Sequence, residues 1–291
     1  MALTQLYESN EIVTLAETDD QVGSFTFNES YFNRAIKRIF KKKGYTEEFL
    51  TNKEGVAMIE ETYRILSEQV TFSERTPAKV KEIIENNLWR FSGFKTDTQL
   101  RDVARKLYDA DGHLRSFEDF ANDIKQIHHT YNMSYLRSEY DHVARSVEMF
   151  NLWQDIPDDA ELQYRTMGDA KVRDEHKRLE GVTLPKLDPF WDDFYPPNGW
   201  NCRCTVREVR TGKYKQSNSK EAIRKGNAAT KLPKQQIFRC NPGKTLNLMP
   251  DKHPYYPKGC GDCQANGYNQ YDSKADKCKT CKVINKLKPK R

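Results

Sequence analysis

From Tyr31 to Lys43 the chain reads Y-F-N-R-A-I-K-R-I-F-K-K-K. Apolar side chains recur at helical spacing and Gly44 follows the basic end, which predicts a helix and its stop signal. Lys53 to Val70 repeats the amphipathic pattern. Thr76-Pro77 opens a third helix, with proline in the first turn and Val80, Ile83, Ile84 and Leu88 on one face. Gly93 predicts a turn, after which Thr98–Tyr108, Ser116–His128 and Met133–Trp153 read as further helices, the last ended by Pro157. Residues 1–28 show weak periodicity and several acids, and are expected to be extended or partly ordered.

The pattern then changes. Leu162 to Arg165 could be a short strand, and Asp169 to Leu179 a helix or an irregular polar segment. Leu184 to Asn201 holds four prolines and two tryptophans and is expected to be an ordered loop. Arg203 to Val209 alternates as a strand does. Lys213 to Gln236 reads as a Lys/Ser/Asn/Gln-rich linker with room for one short helix around Ala222.

Charge sharpens the division. The 291 residues carry a net charge of +6. Residues 207–291 hold 21 Lys/Arg against 6 Asp/Glu, whereas residues 1–206 hold 27 against 36. An acidic body with a basic tail suggests contact with nucleic acid or an acidic protein surface; the alternative is a solvated tail. The cations assigned to a nucleic-acid surface are Lys213, Lys215, Lys220, Arg224, Lys225, Lys282, Lys286, Lys288, Lys290 and Arg291. Tyr255, Tyr256, Tyr268 and Tyr271 lie among basic residues and could stack on bases or form a small core. No run of about 18 apolar residues suggests a membrane span, and the N-terminus has neither the basic start nor the apolar stretch of a signal peptide.

All seven cysteines follow residue 201. Cys260/Cys263 and Cys278/Cys281 form two C-x-x-C knuckles with fourteen residues between them. That spacing lets four thiolates surround one structural Zn²⁺, with two disulfides or unpaired thiols as the alternative. Cys202 and Cys204 share a face if their segment is a strand. A disulfide between them would close a small, strained ring. With His176, and Asp174 beside it, they could hold a second metal ion. Alternatively both thiols are buried small hydrophobes and His176 joins a polar network with Asp169, Arg173, Asp174 and Arg203. Cys240 has no evident partner, and His128, His129 and His142 are expected at surface or interhelix positions.

Asp169 to Gly181 reads D-x-x-V-R-D-x-H-x-x-L-x-G, and Pro196 to Cys204 reads P-P-N-G-W-N-C-R-C. Together they resemble the Mu F-like domain of tailed-phage minor head (head morphogenesis) proteins. Tyr131 to Trp153 is similar to the helix leading into that domain, and a weaker similarity reaches F-R-C-N-P-G at Phe238–Gly243 and H-P-Y at His253–Tyr255. The resemblance covers roughly residues 125–255. This chain has Gly199-Trp200 where many members have His-Pro, so one histidine that could otherwise ligate is missing.

The expected fold is α+β. Residues 1–125 would form a mainly helical region, 126–212 a small mixed α/β Mu F-like core, 213–236 a basic linker, and 237–291 a Cys-rich, basic, zinc-ribbon-like unit. The resemblance implies a structural minor head protein of a tailed phage or prophage. It would act at the portal and procapsid with capsid or scaffold proteins, contact DNA non-specifically through its basic end, and reside in the virion head and, during assembly, the host cytoplasm. No P-loop, H-E-x-x-H or G-x-S-x-G is present, and no catalytic residue is assigned. The competing expectation is a metal-dependent nucleic-acid enzyme or hydrolase centred on Asp174, His176, Cys202 and Cys204. A phage-packaged effector is a further alternative, disfavoured by the mere 80 or so residues that follow Cys204.

Overall fold

The computed structural model describes residues 2–7, 27–257 and 278–289. Its helices are α1 (Leu3–Tyr7), α2 (Glu29–Lys42), α3 (Lys53–Ser67), α4 (Ala78–Arg105), α5 (Phe117–His129) and α6 (Leu136–Asp155). The second half adds β1 (Glu161–Arg165), α7 (Asp174–Lys177), β2 (Thr183–Pro185), α8 (Phe190–Phe194), β3 (Thr205–Val209), α9 (Ser219–Ala229), α10 (Pro233–Gln236), α11 (Pro242–Thr245) and α12 (Lys279–Leu287). The α+β expectation holds in that form.

Two compact units share the chain. One comprises residues 1–6, 69–84 and 141–253, and the other residues 7–68, 85–140 and 254–291.

The second unit is helical, and two of its helices, α2 and α5, begin where a side chain takes up a free backbone N–H group. The Asn28 side chain accepts from Ser30 N at 3.1 Å to start α2, and Ser116 accepts from Asp119 N at 3.1 Å to start α5. The stop of α2 falls one residue earlier than Gly44: Lys43 itself takes the left-handed conformation, with φ 54°. Gly93 does not make the expected turn. Helix α4 runs through it unbroken, because the missing side chain makes room for Ile284 of α12; a Cβ at position 93 would lie 2.6 Å from Ile284 Cγ2. The expected helix at Met133–Trp153 is α6 preceded by a π-helical segment, Thr130–Tyr135, that joins it to α5. Tyr255 and Tyr256 are buried here against Phe91 and Phe94, in a core rather than on a base-stacking surface. Tyr268 and Tyr271 lie outside the described residues.

The first unit is built on a three-stranded antiparallel sheet of order β2-β1-β3. Central β1 pairs Leu162 with Leu184 and Tyr164 with Val206. Leu162 and Tyr164 point into a core with Trp153, Phe190, Trp191, Phe194, Tyr195 and Val206. The segment expected as an ordered loop holds β2 and α8, whose Phe190, Trp191 and Phe194 are all buried. Residues 213–236, read from composition as a linker with room for one short helix around Ala222, carry that helix as α9, and also α10. Helix α9 starts at Asn218, whose side chain accepts from Glu221 N at 3.0 Å, and contributes Ala222 and Ala229 to the core. Gly226 lets α9 sit on the ring of Phe194, 2.5 Å from where a Cβ would stand. Among the described residues, no helix is long and apolar enough to cross a membrane.

Candidate functional site

Three of the residues singled out from the sequence meet inside the sheet-based unit. The short helix α7 carries His176 inward, and the chain entering β3 carries Cys202 and Cys204 on its core side. Alternation explains the latter: Cys202, Cys204 and Val206 are buried, while the intervening Arg203 points outward. His176 Nδ1 stands 3.7 Å from Cys202 Sγ and 3.6 Å from Cys204 Sγ, and the three ligand-type atoms all lie within 4.8 Å of one another. Each residue is 3% exposed.

Backbone and side-chain bonds hold this arrangement. The Pro196-Pro197 peptide is cis, and the chain then turns through Gly199 (φ 155°) and Asn201 (φ 56°). Cys202 N donates to Gly199 O at 3.2 Å. The Arg173 guanidinium donates to Trp200 O at 2.6 Å and passes 3.1 Å from the position a Cβ on Gly199 would take, so this glycine answers to close approach. From α6, Arg145 donates to the carbonyls of Arg203 and Cys204 at 3.3 and 3.4 Å. Tyr164 on β1 donates to Asn198 Oδ1 at 3.0 Å, and Asn198 in turn donates to Tyr195 O at 3.2 Å.

The two buried thiols are shifted in opposite directions. A hydrogen bond from Cys204, with the neighbouring His176, holds the Cys202 thiol well below its ordinary range despite burial. The same bond, with burial, pushes Cys204 up. Burial, reinforced by the two sulfurs, raises the Tyr164 hydroxyl well above its usual range.

The other expected members of the cluster lie elsewhere. Asp174 is exposed and pairs with Lys177 at 2.7 Å. Asp169 and Arg203 form a two-pronged exposed ion pair, with both bonds at 2.8 Å. The polar network expected for Asp169, Arg173, Asp174, His176 and Arg203 is therefore divided into four sets of contacts: Asp169 with Arg203, Arg173 with Trp200 O, Asp174 with Lys177, and His176 with the two cysteines. Sequence reading missed Arg145, Tyr164 and Asn198. It also placed His142 at a surface or interhelix position, although His142 is buried between Trp200 and Phe238, where desolvation lowers its pKa to about 4. The inward register of Tyr164, two residues after Leu162 in the expected strand, was the available signal for that residue.

Of the C-terminal cysteines, Cys278 is the N-terminal cap of α12 and Cys281 lies buried in its first turn. Cys260 and Cys263 lie outside the described residues, as do Lys290 and Arg291. Lys213, Lys215, Lys220, Arg224, Lys225, Lys282 and Lys286 are exposed, whereas Lys288 bonds to the Asn86 side chain.

Residues 102–207, which contain His176, Cys202, Cys204 and the residues that brace them, match the family described as Phage Mu protein F like protein. Through this region the chain is similar to the Mu F-like family. Two curated relatives are similar to parts of the chain. One is a putative capsid assembly protein F from Escherichia phage Mu, 26% identical over 161 residues, covering 54% of this chain and 31% of the relative. The other is a Mu-like prophage FluMu F protein from Haemophilus influenzae, 32% identical over 68 residues, covering 23% of this chain and 16% of the relative. The chain thus spans less than a third of the length of either. No solved structure matches it significantly.

Proposed function

We propose that this chain is a structural protein of head assembly in a tailed phage or prophage, working beside portal, capsid or scaffold proteins. The observation that carries this reading is the Mu F-like match across the braced core, together with the capsid-assembly name of the phage Mu relative. Burial of His176, Cys202 and Cys204 supports a structural use of the cluster over a catalytic one, since a substrate needs access to a nucleophile or an open metal position.

In this reading the basic C-terminal region contacts DNA through phosphates. Exposed Lys213, Lys215, Lys220, Arg224 and Lys225 on and before α9, with Lys282 and Lys286 on α12, are the cations available. Such binding is largely independent of sequence and weakens with salt, because each phosphate contact releases counterions. Cys260, Cys263, Cys278 and Cys281 hold a structural Zn²⁺ in the same reading. The start of α12 suits two of its ligands, because residues three apart on a helix lie on neighbouring faces.

The test is an affinity pull-down of tagged full chain from an induced lysate of its own phage, at two salt concentrations, read by mass spectrometry. Recovery of portal and major capsid proteins at both, with DNA retained only at low salt, is the expected result. Recovery of no head protein at either salt rejects the assembly role. DNA retained equally at high salt rejects the phosphate-contact role alone.

A further inference from the structure

We propose that His176, Cys202 and Cys204 bind one zinc ion inside the sheet-based unit, as a structural site separate from the four-cysteine unit at the C-terminal end. The ligand types and distances carry this. Zinc takes imidazole nitrogen and thiolate sulfur tetrahedrally, at roughly 2.0–2.1 and 2.3 Å, which sets each nitrogen-to-sulfur edge at about 3.5 Å. The edges here are 3.7 and 3.6 Å.

The near equality of those distances separates the proposal from plain hydrogen bonding. An imidazole nitrogen has one lone pair or one proton, directed in the ring plane, and serves one sulfur well. Two sulfurs at matching distance from one nitrogen suit a shared central ion better.

Charge points the same way. Two thiolates and a neutral imidazole around Zn²⁺ carry no net charge, so a site with each ligand residue 3% exposed avoids the cost of an uncompensated buried ion. Binding releases the thiol protons to solvent. Three protein ligands leave a fourth position, and Tyr164 places an oxygen within hydrogen-bond reach of Cys204.

The ligands are also fixed from behind. Arg145 holds the carbonyls of Arg203 and Cys204, and Arg173 holds that of Trp200, so the Cys-x-Cys segment is set before any ion arrives. A bound ion would then tie α7 to the entry of β3, 26 and 28 residues further along the chain.

The experiment uses full chain purified without chelator and zinc measured by elemental mass spectrometry. Cys260→Ser/Cys263→Ser removes ligands of the other unit and touches none of these three residues. It is expected to retain one zinc per chain, and adding Cys202→Ser/Cys204→Ser is expected to bring that to none. No zinc in the first variant overturns the proposal, and so does undiminished zinc in the second. Should the serine variants fail to fold, zinc-edge X-ray absorption of the unaltered chain decides. Nitrogen and sulfur together around zinc support the site; sulfur alone, or no zinc, overturns it.

Discussion

Glu139 accepts from three donors at once: the buried Lys95 ammonium, the hydroxyl of half-buried Tyr7 at 2.6 Å and the buried Tyr255 hydroxyl at 2.8 Å. Lys95 is 1% exposed, and burial lowers its pKa against the opposing pull of Glu139. Removing one member of a buried pair leaves the other charge without compensation, which typically costs about 3–5 kcal/mol, whereas replacing both by apolar groups is often neutral. Glu139→Ala is therefore expected to lower the denaturant midpoint severely, and Lys95→Met/Glu139→Leu to restore most of it. Equal losses in the single and double variants would refute this account. A second residue gives a pH signature. His128 packs against Phe32 with ring centres 4.3 Å apart, and desolvation lowers its pKa, with His129 adding to the effect and Glu29 opposing it. Near its ordinary pKa the unfolded chain then binds more protons than the folded one. The contribution of neutral His128 is accordingly whole above about pH 6.5 and is lost as pH falls below it. His128→Phe should flatten the acid side of a melting temperature against pH curve, and unchanged slopes would count against the prediction. At this scale the candidate site was legible only in part. Alternation alone puts Cys202 and Cys204 on one side. Asp174 and His176 read as partners because they are close in sequence, yet residues two apart on a helical turn face nearly opposite ways. Arg145, Tyr164 and Asn198 come from other elements, so no local pattern joins them to the cysteines.

Helix α4 shows how a correct local signal can yield a wrong element. Glycine is a poor helix former, and Gly93 reads as a break. Nothing near position 93 in the sequence reveals that Ile284, far along the chain, fills the notch, or that the Trp89 indole one turn earlier donates to Ile284 O at 2.8 Å. Gly93→Ala should help an isolated helix slightly. In the folded chain it is expected to destabilise by about 1–3 kcal/mol, the usual range for overpacking. Hydrogen exchange in α12 should rise at the same time. Combining it with Ile284→Ala should cost less than the two single changes together, since the smaller side chain removes the clash. A stabilising Gly93→Ala, or strict additivity, would mean that α12 does not pack into this notch. In α9 the helix around Ala222 is legible but its burial is not. Its lysines and asparagines read as linker, and only Ala222, Gly226 and Ala229, three or four residues apart on one face, mark a small-residue stripe that joins the core against Phe194.

On the scale of the molecule, family similarity and compactness divide the chain differently. The Mu F-like match ends at residue 207 and begins at 102, so it takes parts of both units: the end of α4, α5 and α6 up to Tyr140 fall in one, and the remainder in the other. It omits α9 and α11. Ala222 and Ala229 of α9 belong to the same core as Leu162 and Trp191, and Gly243 of α11 lies against Trp153, 2.2 Å from where a Cβ would stand. Asn241 further donates to Trp191 O at 3.0 Å, and Gln154 to Gly243 O at 2.9 Å. Cutting after residue 207 would uncover Trp153, Trp191 and Phe194 together. Fully burying one large apolar side chain contributes roughly 1.5–3 kcal/mol, and whole domains are stable by only about 5–15 kcal/mol. A fragment of residues 102–207 is thus expected to lack a cooperative thermal transition and near-ultraviolet tryptophan dichroism, while the full chain shows both. A sharp transition in the fragment would demonstrate that the family region folds alone and that α9 and α11 merely decorate it. Its absence would mean that the family region depends on chain outside it, where α9 and α11 complete the core that contains both Cys202 and Cys204 and residues 69–84 belong to the same unit.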